Sequence, residues 1–334
     1  MILIDAIYIN NGGGKILLDY LIAQINKTNL EIHYLIDSRI ENKHCKVVNG
    51  TFEYFPSNWL LRKKYYLLNE KKYNKVLCFA NLPPNIKLDI PVFTYFHQPL
   101  FLKIESSLPF IKKSLFWIKT IILAYILKNT DKWIVQSSLI KSKLSEKYKI
   151  NLDNILIIPF YPSLKKPQLI INREPIFLYV SNGEPHKNHK RLLEAFVLFY
   201  DNKNYGELHL TIEDTYVDLI NEVNRLKNHG YPITNHGFLS RESLSDLYAK
   251  SFFFIFPSLT ESFGLGIVEA LENGCIILGA DRPYMHTICK PNIIFNPESI
   301  QDICNGMIKA INYQFENSEQ YVQNKIENLI TLLK

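Results

Sequence analysis

Two glutamates in the second half of the chain are the strongest candidates for chemistry. Glu261 and Glu269 are separated by seven residues within 256–271, FPSLTESFGLGIVEAL. The pattern predicts a strand that ends at Pro257, a loop with two glycines, and then a helix. Glycine lets the backbone approach a ligand closely, and a helix N-terminus offers N–H groups to a phosphate. Two carboxylates at this separation can accept hydrogen bonds from two different polyols, such as a sugar and a ribose.

A basic segment and a histidine are further candidates. Lys187 stands just before a helix predicted near 188–201, and a lysine beside a helix N-terminus stabilises the negative charge of a departing diphosphate. His97 ends a predicted strand, where the ligand sites of open parallel sheets gather. The sequence has no Asp-x-Asp pair to hold Mg²⁺ against a diphosphate and no His/Cys spacing typical of zinc. We therefore expect no metal.

Short apolar runs alternate with helical patterns along the chain. This alternation predicts an α/β protein with mostly parallel, doubly wound sheets covered on both faces. Four prolines between 159 and 175 interrupt it. The predicted parts are a first domain at 1–160, a linker at 161–175, a second domain at 176–312, and a C-terminal segment at 313–334 with a helix over roughly 316–333.

The composition is that of a globular protein. The chain has 334 residues, 47% of them hydrophobic, and five cysteines that form no Cys-x-x-Cys pair. An odd number of cysteines without such pairs argues against a disulfide framework and indicates a reducing compartment. The longest apolar run contains Lys119 and is shorter than the ~20 residues of a membrane span. The N-terminal residues show no signal-peptide pattern, so we expect a cytoplasmic location.

Positive charge is concentrated in the first half. Residues 1–150 carry 22 Lys and Arg against 11 Asp and Glu, although the whole chain has a net charge of only +6. This excess indicates an anionic partner. Residues 57–72 mix three aromatic with five basic residues, as interfacial helices do. Residues 110–128, FIKKSLFWIKTIILAYILK, are a second candidate, but we favour a buried core helix there. No nucleic-acid-binding motif accompanies the charge, so we expect no nucleic-acid partner.

Several of these segments resemble one known family in the order expected for it. The string around Glu261 and Glu269 is similar to the E-x7-E signature of family 4 (group 1) of the retaining glycosyltransferases, which have the GT-B fold. Residues 179–196, YVSNGEPHKNHKRLLEAF, resemble its lysine-bearing phosphate loop. Residues 235–240, NHGFLS, resemble its loop beside the nucleobase, and 95–99, YFHQP, resemble a weaker first-domain feature. The implied fold is two Rossmann-like domains facing a central cleft.

The resemblance implies a role for each site residue. Glu269 would bind the ribose hydroxyls, Glu261 a hydroxyl of the donor sugar, and Lys187 the leaving diphosphate. Gly264 and Leu265 would give backbone donors to the sugar or diphosphate. Gly237 and Phe238 would belong to the loop beside the nucleobase. The first-domain residues that would border the diphosphate or face the reacting sugar are Gly13, Gly14 and His97.

The implied reaction moves a hexose-like sugar from a UDP- or GDP-sugar to a hydroxyl of a glycan, with retention. The setting would be O-antigen or capsule-type polysaccharide synthesis, including lipopolysaccharide, with a glycan or lipid-linked glycan as acceptor. No cofactor, metal or protein nucleophile is implied besides the nucleotide-sugar donor. We expect a protein that is cytoplasmic or loosely bound to an anionic membrane at the inner leaflet.

Two positions depart from the pattern of many relatives. Asn182 stands where many have an arginine, and Thr287 stands where many have a glutamate. The diphosphate therefore has one cation fewer, unless His186 or Arg191 compensates. Both departures bear on the identity of the donor.

Two other classes of function remain open. Gly12-Gly13-Gly14 forms a predicted loop between the first strand and a helix that starts at Lys15, and Asp37 ends the second strand, as in an NAD-dependent oxidoreductase. However, Leu17 stands where the dinucleotide-binding fingerprint needs its third glycine. A non-catalytic protein that binds a membrane or another polyanion through its basic half is the second alternative.

Overall fold

The chain divides into two compact units. The computed structural model describes residues 1–41, 46–104, 110–164 and 172–334, apart from the side chain of Lys112. One unit comprises Met1–Pro162 with Gln323–Lys334, and the other comprises Ser163–Val322. Of the predicted linker at 161–175, residues 165–171 lie outside the described residues. Within the described part of the chain, no helix is long and apolar enough to cross a membrane.

The first unit is built on a parallel seven-stranded sheet. Its strands are β1 (Ile2–Ala6), β2 (Ile32–Asp37), β3 (Thr51–Phe55), β4 (Lys75–Cys78), β5 (Val92–Tyr95), β6 (Lys132–Val135) and β7 (Ile155–Ile157). Their order in the sheet is β3-β2-β1-β4-β5-β6-β7. The helices that connect them are α1 (Gly12–Ile25), α2 (Trp59–Asn69), α3 (Phe110–Ile126) and α4 (Ser138–Tyr148).

The second unit repeats the doubly wound plan. Its strands are β8 (Glu174–Tyr179), β9 (Glu207–Leu210), β10 (Ile233–Asn235), β11 (Ser251–Phe256), β12 (Ile276–Ala280), β13 (Cys289–Lys290), β14 (Ile293–Phe295) and β15 (Glu319–Gln320). The parallel sheet has the order β10-β9-β8-β11-β12-β14, and β13 pairs with β15. Its helices are α5 (His189–Lys203), α6 (Val217–Asn228), α7 (Arg241–Lys250), α8 (Leu265–Glu272), α9 (Pro283–Ile288) and α10 (Ile300–Asn312).

The last helix, α11 (Ile326–Leu333), belongs to the first unit. It contacts α1, and the Lys75 ammonium donates to the carbonyl of Leu332 at 2.7 Å. Right-handed crossovers place α2, α3 and α4 on the face of the first sheet opposite to α1. Tyr66 of α2 packs there with Val76, and Leu123 of α3 packs with Trp133.

Two local predictions are wrong. Gly12, Gly13 and Gly14 form the first turn of α1 rather than a loop before it, because Asn11 takes the N-cap position. The terminal helix begins at Ile326 rather than near residue 316, because β15 pairs with β13 within the preceding segment.

Helix α3 requires a larger correction. The sequence predicts a buried core helix, but among its described side chains only Leu123 and Ile126 are buried, and the half-buried Phe116 packs edge-on against Phe101. Seven large apolar side chains are between 48% and 82% exposed: Phe110, Ile111, Leu115, Trp117, Ile118, Ile121 and Tyr125. The prediction fails because the helical spacing of apolar residues indicates an apolar face, but not whether another part of the chain covers that face.

A buried ion pair joins α2 to the sheet of the first unit. The Arg62 Nε donates to Asp5 Oδ2 at 2.7 Å, and both side chains are 1% exposed. The guanidinium also donates to the carbonyls of Leu82 and Pro83, at 3.0 and 2.7 Å. The pair therefore fixes the loop after β4 as well as the helix.

Replacing Arg62 with methionine should lower the stability of the first unit. The change leaves the Asp5 carboxylate buried without its cation, a loss of about 3–5 kcal/mol in the free energy of unfolding. Urea denaturation followed by circular dichroism measures it. Lys64→Met on the exposed side of the same helix is the matched control and should change stability by less than about 0.5 kcal/mol. Equal urea-denaturation midpoints for the two variants would contradict a stabilising role of the Arg62–Asp5 ion pair.

Candidate functional site

The second unit holds its predicted site residues on loops that leave neighbouring strands. Lys187 follows β8 and Glu261 follows β11, the strand beside β8 in the sheet. Parallel strands end at one edge of a sheet, so these loops meet. The backbone N–H of Leu259 donates to the carbonyl of His186 at 2.8 Å.

Lys187 and Glu261 form an ion pair. Nζ lies 2.6 Å from Oε1, and the side chains are 17% and 10% exposed. The Tyr179 hydroxyl donates to the Lys187 carbonyl at 2.8 Å. Asn188, in the left-handed conformation with φ +65°, donates its side-chain amide to two carbonyls of neighbouring loops. The lysine is thus fixed at the N-terminus of α5, where an anion that displaces the glutamate would meet both the ammonium and the helix dipole.

Glu269 lies on the buried side of α8. Its side chain is only 3% exposed, with Arg241 Nη1 2.9 Å from Oε1 and the Tyr248 hydroxyl donating to Oε2 at 3.2 Å. Burial raises the pKa of Glu269, and the Arg241 guanidinium opposes that shift. Glu269 is therefore a desolvated acceptor that keeps two donors in the unliganded protein.

Glycines shape the start of α8. Gly264 is its N-cap with φ +72°, and a Cβ there would lie 2.8 Å from Ile267 Cδ1. At Gly266 a Cβ would lie 3.3 Å from the Tyr248 hydroxyl oxygen. The positive φ at position 264 favours glycine, and a side chain at position 266 would crowd the Tyr248 hydroxyl.

The loop after β10 carries an exposed ring. Gly237 has φ +65°, and Phe238 is 82% exposed. The preceding His236 lies beside His209, with 3.1 Å between ring nitrogens. An exposed aromatic ring on a defined turn can stack on a planar ligand such as a base.

In the first unit, the structure brings His97 and Gly14 together. The backbone N–H groups of His97 and Gln98 donate to Asn81 Oδ1 at 2.7 and 2.9 Å. A Cβ at Gly14 would lie 3.2 Å from His97 Nε2, whereas one at the exposed Gly13 would meet nothing. Burial lowers the pKa of His97 to about 4. The ring is therefore neutral at neutral pH.

Asn182 and Thr287, the two positions that differ from many relatives, have different hydrogen-bonding surroundings. Asn182 Oδ1 is buried without a hydrogen-bond partner among the described residues, and the Thr287 hydroxyl donates to the Tyr284 carbonyl at 2.8 Å. His186 is no substitute cation, because burial and Lys187 lower its pKa. Arg191 Nη1 donates to the side-chain oxygen of Asn188 at 3.0 Å. No cluster of three or more potential His, Cys, Asp or Glu metal ligands occurs in the described ranges.

Sequence reasoning missed three residues that hold the site. Arg241 pairs with Glu269 from α7, while Asn81 and Asn188 use left-handed backbones to present their side chains. A basic residue at the first position of a helix after the glycine loop is a weak signal for Arg241. Nothing in the sequence marks the two asparagines, because their partners lie on other loops.

The fold is that of the GT-B glycosyltransferases. Each unit is a Rossmann-like parallel sheet, and in the second unit Lys187 and Glu261 follow neighbouring strands while Glu269 lies within α8. Residues 161–328 match the family described as glycosyl transferases group 1. The chain belongs to that family, which leaves the oxidoreductase alternative without support.

One relative by sequence and two solved structures are similar to the chain. It is 24% identical over 208 residues to the O-antigen chain mannosyltransferase RfbU of Salmonella typhimurium, covering 55% of this chain and 56% of that relative. The structure of a sucrose-phosphate synthase from Thermosynechococcus elongatus aligns with TM-score 0.73 and 16% identity, over 93% and 89% of the two chains. Anabaena HepE, solved with UDP and glucose, aligns with TM-score 0.70 and 14% identity, over 93% and 90%.

Replacing His189 with phenylalanine should remove part of the acid sensitivity of the protein. The His189 ring is tilted against the Tyr179 ring with 4.8 Å between the ring centroids, and neither imidazole nitrogen has a partner among the described residues. Burial lowers the pKa of His189 from 6.5 to about 3, so the unfolded chain takes up a proton below pH 6.5 that the folded chain does not. Stability is thereby lost as the pH falls.

The loss attributable to His189 between pH 8 and pH 5 is about 2 kcal/mol. Urea denaturation at both pH values measures it, and His189→Phe should lose correspondingly less stability. His229→Phe, on an exposed histidine of the same unit, is the control and should follow the wild type. An identical pH dependence in wild type and His189→Phe would refute the neutral, buried state.

Proposed function

We propose that the protein transfers a hexose from a nucleoside-diphosphate sugar to a hydroxyl of a lipid-linked glycan, in O-antigen-type polysaccharide synthesis. The transfer retains anomeric configuration and needs no metal ion. The observation that carries this proposal is the Lys187–Glu261 pair at the N-terminus of α5, on the same unit as the buried Glu269. The chain spans 56% of the length of the relative RfbU. Its sugar and its acceptor are therefore proposals.

Departure of the diphosphate is the step that the second unit assists. Negative charge grows on the leaving oxygen as the glycosidic bond breaks, so a fixed cation and a helix N-terminus lower the barrier. Lys187 supplies the cation, and its phosphate contact releases Glu261 to accept from a sugar hydroxyl. The acceptor hydroxyl attacks from the face that the diphosphate leaves, and the diphosphate takes its proton. The chain therefore needs no nucleophile of its own.

Recognition of the nucleoside falls to Glu269 and the loop after β10. The ribose hydroxyls would donate to the Glu269 carboxylate in place of one of its present donors, Arg241 or Tyr248. Phe238 would stack on the base. In the first unit, Gly13 and Gly14 would admit the diphosphate, and His97 would face the sugar with a neutral ring.

The first experiment is calorimetric titration of the chain with UDP, GDP, UDP-glucose and GDP-mannose, each repeated with EDTA. GDP-mannose is included because RfbU is a mannosyltransferase, and UDP-glucose because HepE was solved with UDP and glucose. Binding of one nucleotide without metal is the expected result and identifies the base. Failure of the folded chain to bind any nucleotide would reject the donor site, and binding that EDTA abolishes would reject metal independence.

Lys187→Ala should lower kcat about 10²- to 10³-fold, since its charge matters most as the diphosphate leaves. Nucleotide affinity should fall much less. Steady-state transfer assays with the donor identified by calorimetry separate the two quantities. Lys190→Ala, on an exposed lysine three residues away, is the matched control. A kcat within twofold of wild type for Lys187→Ala would remove this residue from the mechanism.

Glu269→Gln should weaken nucleotide binding about 10- to 100-fold, the value of a hydrogen bond to a charged acceptor. Calorimetry with the nucleoside diphosphate alone measures this without catalysis. Glu194→Gln, an exposed helix glutamate of the same unit, should bind as the wild type does. The ribose assignment fails if the two variants bind with equal affinity.

A further inference from the structure

The outer sides of α2 and α3 are an unusual surface for a globular unit. We propose that these exposed side chains, here called the α2–α3 surface, bind the anionic face of a lipid bilayer. The surface includes α3, the second candidate that the sequence assigned to the core, and its binding to lipid does not depend on the donor site.

Helix α3 supplies the apolar part. Ile111, Leu115, Ile118, Ile121 and Tyr125 recur at intervals of four, three, three and four residues, so they share one side of the helix. Each is between 48% and 79% exposed. Trp117, 60% exposed, lies beside this stripe. Contiguous exposed apolar surface of this kind marks a site of interaction.

Helix α2 supplies a mixed apolar and basic part. Its inward side is Arg62, Tyr65 and Tyr66. Its outward side carries four leucines that are between 45% and 73% exposed, at positions 60, 61, 67 and 68. Lys63 and Lys64 are exposed between them. Leucines interleaved with lysines are typical of helices that lie in a membrane interface.

The two helices lie on the same face of the first sheet. Val76 pairs with Val92, and Thr94, two residues further along β5, pairs with Trp133. Residues that pair across parallel strands, or that stand two apart, point to one face. Helix α2 packs on Val76 and α3 packs on Trp133. Their outward sides therefore face away from the sheet in the same direction.

Charge selects a lipid surface over a second copy of the chain. Neither α2 nor α3 contains an aspartate or glutamate, and α4 on the same face adds the exposed Lys143 and Lys147 beside one exposed acid, Glu146. In a twofold dimer through this surface, the lysines of one copy would meet those of the other. An anionic headgroup layer neutralises them, and the acyl boundary covers the leucines, isoleucines and tryptophan.

The test is flotation of the full chain with vesicles of phosphatidylcholine alone or with about one-third phosphatidylglycerol, without nucleotide. The wild type should float with the anionic vesicles and much less with the neutral ones. The double variant Trp117→Ser/Ile118→Ser should bind the anionic vesicles about ten-fold less, and Lys63→Gln/Lys64→Gln should lose most of the preference for them. All these positions are exposed, so thermal unfolding should not change.

Val217→Ser is the matched control, since Val217 is 59% exposed on α6 of the second unit. It should float as the wild type does. Wild type that stays unbound, or equal flotation of wild type and the Trp117/Ile118 variant, would overturn the proposal. So would a dimer, seen by analytical ultracentrifugation, that the same variant dissociates without any vesicle binding. Donor titration is a separate measurement, so failure here leaves the donor site unaffected.

Discussion

Negative charge removed from water is the constraint on which the second unit depends. The Glu269 side chain is 3% exposed and that of Glu261 is 10% exposed. Moving a carboxylate into such surroundings costs several kcal/mol unless a cation and hydrogen bonds compensate. Each glutamate therefore takes its cation from another element, Lys187 from the turn before α5 and Arg241 from α7. These pairs fix the positions of the helices that form the site.

The parallel sheet explains why those elements meet. Strands β8 and β11 are neighbours, so the turn that carries Lys187 and the loop that carries Glu261 leave the same edge. Sharp turns are needed there, and Asn188 and Gly264 provide them with positive φ values. The cost of the left-handed backbone at Asn188 is offset by two hydrogen bonds from its side chain. Chemistry and fold thus depend on the same few residues.

The extent of correct prediction follows from how local each feature is. Lys187, Glu261 and Glu269 lie in continuous strings whose turn and helix signals are readable, and the doubly wound class follows from alternation along the chain. Arg241 comes from a different element, so only the folded chain shows that it pairs with Glu269. For the glycines at the start of α1 the sequence predicts a loop, because glycine has a low helix propensity, whereas the structure includes them in the first turn of the helix.

Helix α3, which the sequence predicts as buried, leaves much of its apolar surface exposed on the first unit. Apolar residues recur along it as they would in a core helix, yet the unit covers only its last turns. Such exposure favours self-association and is retained where another apolar phase covers it. The lysines of the same face favour the proposed bilayer over a second copy. If the acceptor is the proposed lipid-linked glycan, it diffuses within that bilayer, and an enzyme bound there searches two dimensions instead of three. The basic first half and the carboxylate site of the second half would then serve one reaction through different physical means.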